Sequence, residues 1–193
     1  MAEPRRRSSR FSYYARLSAS QKRTYRKSDE VSTVTLSNPT ALAPFVKKLE
    51  ADLILGKRPL IEQALRALCL GITESLGVPR VKVLVRSVRP SDLEGELHGL
   101  YTWEEGKAPV IEVWMRTAQN RRVVRFRTFL RTFLHEICHH LDFTLLELTD
   151  TFHTEGFFRR ESSLMRQLVG RAPGKAAPPA ASKPSRRQLE LFA

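Results

Sequence analysis

Residues 135–139 read His-Glu-Ile-Cys-His. Side chains four positions apart on a helix share a face, so His135 and His139 can both reach one tetrahedral Zn²⁺. Glu136 lies beside that face and suits a general base acting on water that the ion activates. A catalytic zinc takes a third protein ligand and keeps one position open. Downstream, His140, Asp142, Glu147, Asp150, His153, Glu155 and Glu161 are the residues of suitable type. His140 is rotated about 100° from His139 and points elsewhere. Asp142 is within reach, yet it equally suits orienting an imidazole from behind. His153 sits where a loop enters the next helix and is the favoured third ligand. Glu161 is the first alternative, with Glu155 and Asp142 after it. The expectation is one Zn²⁺ per chain.

These residues need a buried helix to hold them, and the spacing supplies one. Val123, Phe126, Leu130, Phe133, Ile137 and Leu141 recur at three-four intervals, predicting a helix over about 118–147. Cys138, turned from the ligand face, belongs to its core side. Upstream, helices are predicted near 40–55 and 59–76, punctuated by Gly56, Pro59, Gly77 and Pro79. Ser18 and Gln21 have capping-box spacing for a short helix over 17–27. Strands are predicted at 81–86, 95–103 and 109–115, with 104–107 as a turn. A last helix begins near Gly156 and carries Phe158, Leu164, Met165 and Leu168. The expected class is α+β: helices packed on a small three-stranded sheet, with the HEICH helix central.

The chain has 193 residues and a formal net charge of +13, unevenly spread. Residues 1–28 hold nine Lys/Arg against Glu3, and 171–193 hold five against Glu190, which leaves 19 basic and 18 acidic residues between. Basic ends on a near-neutral globule point to a polyanion such as nucleic acid. Phe11, Tyr13 and Tyr14 among the first arginines add rings able to stack on unpaired bases. Residues 1–35 read as a basic, largely disordered segment, 36–170 as the folded domain, 171–186 as a Pro/Ala-rich linker, and 187–193 as a tail. No apolar run approaches the roughly 20 residues of a membrane span, and the first thirty residues lack a signal-peptide core. Two cysteines make no disulfide framework, so the reducing cytoplasm is the expected compartment.

HEICHHLD followed by FHTEGFF resembles the SprT-like and WLM-type zincin metallopeptidases. Their pattern is HExxH, a short helix and loop, then a third His followed four residues later by an aromatic, here Phe157. Thr154 stands where a glycine is frequent. The resemblance implies a zincin fold over 36–170, zinc ligation by His135, His139 and His153, and Glu136 as general base. It further implies that the strand before the active helix, Val110–Met115, forms an edge that pairs with substrate backbone. Trp114 would then line the substrate if Ile111, Val113 and Met115 face inward, although core packing is the commoner role for a strand Trp. His98 and Tyr101 are candidates for stabilising an oxyanion.

The final residues Gln188, Leu189, Glu190, Leu191 and Phe192 resemble the bacterial sliding-clamp binding pentapeptide. Leu191 and Phe192 would fill an apolar pocket while Gln188 bonds at its rim. Zinc core, basic ends and clamp-like tail together are similar in architecture to the Spartan proteases, which cut proteins crosslinked to DNA. The implied function is a zinc metalloendopeptidase acting on DNA-associated proteins at the nucleoid, with no membrane partner. The alternatives are a regulatory peptidase that cuts one DNA-bound repressor, or a zinc-stabilised adaptor without catalysis. Arg121, Arg122, Arg125, Arg127 and Arg131 would add a phosphate-contacting face, or equally serve as a solvated helix face.

Overall fold

Two left-handed glycines divide the first half of the chain. Gly56 and Gly77 both have φ near +65°, and their amides bond back to Asp52 and Leu53, and to Glu74. That conformation costs a glycine little and stops a helix cleanly. In the computed structural model, which describes residues 11–93, 95–104 and 106–170, they close helices α2 (Ala43–Leu55) and α3 (Arg58–Leu76). Helix α1 (Ala19–Glu30) starts on the expected capping box, with Ser18 and Gln21 bonding reciprocally.

Strand β1 (Lys82–Val88) runs parallel to β5 (Val110–Arg116), and β4 (Gly99–Thr102) runs antiparallel to it, giving the order β1-β5-β4. Val83 faces Ile111 and Val85 faces Val113 in register. These four side chains and Met115 join Leu65, Leu68, Ile72, Phe133, Ile137 and Leu141 in one core. Completely burying a side chain such as Phe133 contributes about 1.5–3 kcal/mol. The described chain is therefore α+β, with helices on a three-stranded sheet. None of its helices is long and apolar enough to cross a membrane.

Several expectations are corrected. Because β5 is the middle strand, Val110–Met115 is not the edge; β4 is, and it lies against the HEICH helix. The single strand expected over 95–103 is two pieces. Gly95–Glu96 (β3) pairs with Ser91–Asp92 (β2), and the ladder resumes at Gly99. The HEICH helix, α4, covers Phe126–Thr144 rather than 118–147. Residues 117–122 instead form a loop, closed by Thr117 N–H to Arg122 O at 3.0 Å and Val124 N–H to Met115 O at 2.8 Å. Val123 keeps helical phase with Phe126, so periodicity alone could not separate loop from helix. Helix α5 (Glu155–Val169) begins where expected.

The N-terminal segment is also built in more fully than its composition suggested. Residues 12–16 form a 3₁₀ turn, and the Tyr13 and Tyr14 rings pack on the buried Tyr25 at 6.0 and 4.8 Å. Phe11 packs on Phe158. These rings are thus committed to intramolecular contacts, and from residue 11 the segment expected to be disordered is part of the domain. The linker and the tail residues Gln188, Leu189, Leu191 and Phe192 lie outside the described residues.

Candidate metal centre

Phe133, Ile137 and Leu141 anchor α4 in the core, which turns His135 and His139 together toward a cleft. After α4 the chain turns at Glu147, whose φ is +50°, and Leu148 N–H bonds back to Asp142 O at 2.8 Å. The returning loop delivers His153 next to Thr154, the N-cap of α5. The Thr154 side chain accepts the Phe157 N–H at 2.9 Å. That capping role accounts for a threonine at this position.

The three histidines meet. His153 Nε2 lies 2.9 Å from His135 Nε2 and 3.1 Å from His139 Nε2. Their ligand atoms all fall within 4.8 Å of one another, a grouping that can hold a metal ion. Tetrahedral bonds of about 2.0–2.1 Å place ligand nitrogens roughly 3.3 Å apart, so the ring positions need only small adjustment. Phe157 supports the group from below, its ring 4.9, 4.8 and 5.2 Å from those of His135, His139 and His153.

The hydrogen-bond network assigns two tautomers. His135 Nδ1 lies 3.1 Å from Glu161 Oε2 and donates to that carboxylate. Thr151 donates its hydroxyl to Asp142 Oδ2 at 2.7 Å, which leaves Thr151 Oγ1 to accept from His139 Nδ1 at 2.8 Å. Both Nε2 atoms therefore present lone pairs to the same point as His153 Nε2. One proton on His153 can serve only one of them, whereas a divalent cation satisfies all three. The donor set fits a metal. Burial, reinforced by the neighbouring His135, His153 and Arg160 charges, pushes His139 down to about 3. Burial lowers His153 as well.

Glu136 is buried beside the histidines, outside their cluster. Burial pushes its carboxyl up to about 7, against the opposing influence of His135 and the Tyr101 backbone N–H. Gly99 makes room for it: a Cβ there would lie 2.4 Å from Glu136 Oε1 and 2.9 Å from Cδ. A proton acceptor is thereby pinned between the ligand helix and the outer strand.

The other candidates occupy supporting positions. Glu161 stands behind His135, bonded to it and to Arg131 at 3.1 Å each, and is not in the three-histidine group. Asp142 stands behind His139 through Thr151. Glu155 pairs with Arg159, and Asp150 accepts the Thr151 N–H. His140 turns into the core, bonded to Pro79 O at 2.8 Å and to Tyr101 Oη at 3.1 Å. Tyr101 lines the cleft, and its hydroxyl is engaged by His140. His98 does not line this cleft and lies instead in a second hollow, which Glu136 and His135 also border. Trp114 is buried at 9% exposure and does not line the cleft, which corrects its substrate-lining role. Cys138 is core, as expected.

The cleft, about 360 Å³, is walled by Tyr101, Trp103 and Phe143 on one side and by the histidines and Thr151 on the other. Trp103 stacks on Phe143 at 5.1 Å. Sequence reasoning missed Trp103, Thr151, Arg160 and Gly99. Only Gly99, a glycine inside a predicted strand, carried a readable signal of close approach. No protein-family model, curated protein or solved structure matches the chain.

Proposed function

We propose that the chain is a zinc-dependent metalloendopeptidase with a zincin-like domain, acting on proteins associated with DNA. The observation that carries this reading is the convergence of three imidazole lone pairs one residue from a buried carboxylate that faces an outer strand.

His135, His139 and His153 would hold the zinc, which when bound would supply Lewis-acid activation of water and of a peptide carbonyl. Glu136 takes the proton from the attacking water and hands it to the leaving amine. Its raised pKa suits both halves of that transfer, because a carboxyl near neutrality accepts and releases a proton at small cost. Glu161 and Thr151 hold the two helical imidazoles in the tautomer that keeps Nε2 free. Strand β4, which has no strand on its outer side among the described residues, offers backbone to an extended polypeptide laid across the cleft. Trp103 and Phe143 offer an apolar wall to one of its side chains.

The DNA part of the reading rests on charge. Between Glu112 and Glu136 there is no acidic residue and there are six arginines. Arg121, Arg122, Arg125 and Arg127 have no ion-pair partner among the described residues, although paired surface arginines are common elsewhere on the domain. Together with the basic ends they suit a phosphate backbone. The clamp-like pentapeptide supports recruitment to replicating or repaired DNA.

The test is digestion of a DNA-binding protein, with and without duplex or single-stranded DNA, by wild type and Glu136→Gln. Cleavage that DNA stimulates and that Glu136→Gln abolishes supports the whole reading. Cleavage indifferent to DNA leaves a peptidase without the proposed address. Stoichiometric zinc without cleavage favours a non-catalytic adaptor.

A further inference from the structure

The third histidine is the one ligand without a helix to fix it. His153 is exposed and belongs to the loop before α5, while His135 and His139 ride on a buried helix. Two contacts restrain it from outside, and both lead to the N-terminal segment. Tyr13 Oη donates a hydrogen bond to the His153 carbonyl oxygen at 2.9 Å, across 140 residues of sequence. The Phe158 ring stacks on the His153 ring with centroids 5.8 Å apart at 28°, and Phe11 in turn packs on Phe158 at 6.0 Å.

The segment bearing Phe11 and Tyr13 is itself held down. Tyr13 meets Tyr25 edge-on at 6.0 Å and Phe11 stacks on Tyr13 at 6.1 Å. Tyr25 is 1% exposed on α1 and also packs against Phe152, the residue before His153. Helix α1 is tied to α5, where the Gly156 N–H donates to Asp29 Oδ1 at 2.8 Å. A Cβ on Gly156 would come within 2.4 Å of the Asp29 carbonyl oxygen. The strap therefore has a rigid base and one free side, which it applies to His153.

We infer that Phe11 and Tyr13 form a strap that completes the metal centre, with Tyr13 and Phe158 as positioning residues for His153. The backbone bond from Tyr13 sets where the loop carries the imidazole, and the Phe158 ring limits its rotation. Unlike a support placed on a ring nitrogen, this one acts through the main chain, so it leaves the His153 tautomer unconstrained. The inference rests on the metal reading of the three histidines.

The experiment measures zinc affinity of the full chain by competition with a chromophoric chelator. It also records the visible absorption of the Co²⁺-loaded protein and the thermal melting of the metal-free one. Tyr13→Phe and Phe158→Leu are compared with Tyr14→Phe, whose ring packs edge-on against Tyr25. Expected are losses of zinc affinity on the order of tenfold for Tyr13→Phe and Phe158→Leu, within the range for residues supporting a ligand. Altered Co²⁺ bands should accompany them, while Tyr14→Phe stays within about twofold of wild type. Wild-type affinity and spectra in both variants would overturn the strap while leaving the metal site intact. Equal losses in all three variants, tracking their melting temperatures, would overturn it too, because the segment would then serve only stability. A wild type that binds neither ion would overturn the metal reading and the strap with it.

Discussion

Arg160 and Asp142 form an ion pair at 2.6 Å in which neither side chain has any solvent exposure. Their pairing reaches the metal centre in two further steps. Asp142 Oδ1 takes the guanidinium, which leaves Oδ2 for the Thr151 hydroxyl, and Thr151 then accepts from His139 Nδ1. Arg160 also donates to the carbonyls of Ser28 and Val31 at the end of α1. One buried charge thus joins α1, α4, α5 and the loop before His153. Burial pushes the Asp142 carboxyl up, and Arg160 and Thr151 act against that shift.

Removing one member of this pair should be severe. Asp142→Asn strands a buried guanidinium, and a loss of about 3–5 kcal/mol is expected from urea unfolding. The variant should also bind zinc at least tenfold more weakly, since the support of the His139 tautomer is disturbed. The double variant Asp142→Leu/Arg160→Met should recover part of the stability and none of the affinity. Recovery of both would show that the network is structural alone.

Glu161 and His153 are separable experimentally. His153→Ala removes a ligand and should abolish tight zinc binding in equilibrium dialysis. Glu161→Gln keeps an acceptor for the His135 Nδ1 proton, so zinc should remain bound, weakened by about tenfold. The opposite order of severity would make Glu161 the ligand.

Gly99→Ala should uncouple binding from chemistry. The new methyl group overlaps the Glu136 carboxyl, and the carboxyl must rotate away while the histidines stay in place. Zinc affinity is expected within about threefold of wild type, and kcat for peptide cleavage lower by about 10²-fold, the cost of misplacing a reacting group by an ångström. Unchanged kcat would remove Glu136 from the reaction.

The arginine band makes a claim that salt can test. Replacing Arg121, Arg122, Arg125 and Arg127 by Ala should reduce the slope of log affinity against log salt on duplex DNA by about 0.9 for each phosphate no longer neutralised. Zinc content should be unaffected. Deleting Gln188–Ala193 should leave that slope unchanged and remove binding to a bacterial sliding clamp.

What the sequence conveyed about this site followed from local geometry. Four-residue spacing on an amphipathic helix put His135 and His139 together, and the helix start expected near Gly156 put His153 at the end of the preceding loop. Of the supporting residues, Asp142 was readable as a group behind an imidazole, whereas Thr151 and Arg160 were not, because they reach it only when the loop returns and α5 folds back along α4. The strand order was equally hidden, because only long-range pairing decides which strand is outermost. Trp114 shows the consequence, since a central strand buries both faces and removes the inside-outside reading that alternation gives at an edge. The aromatics of the first segment were read from composition, and their packing on Tyr25 and Phe158 overrode it.

The central claim is that three histidines and Glu136 form a hydrolytic zinc site. The most direct measurement is zinc content together with proteolysis, on the same preparations of wild type, Glu136→Gln and His153→Ala. The account predicts one zinc per chain and cleavage in wild type, one zinc and no cleavage in Glu136→Gln, and neither in His153→Ala. Full zinc in His153→Ala, or cleavage by Glu136→Gln at the wild-type rate, would contradict it.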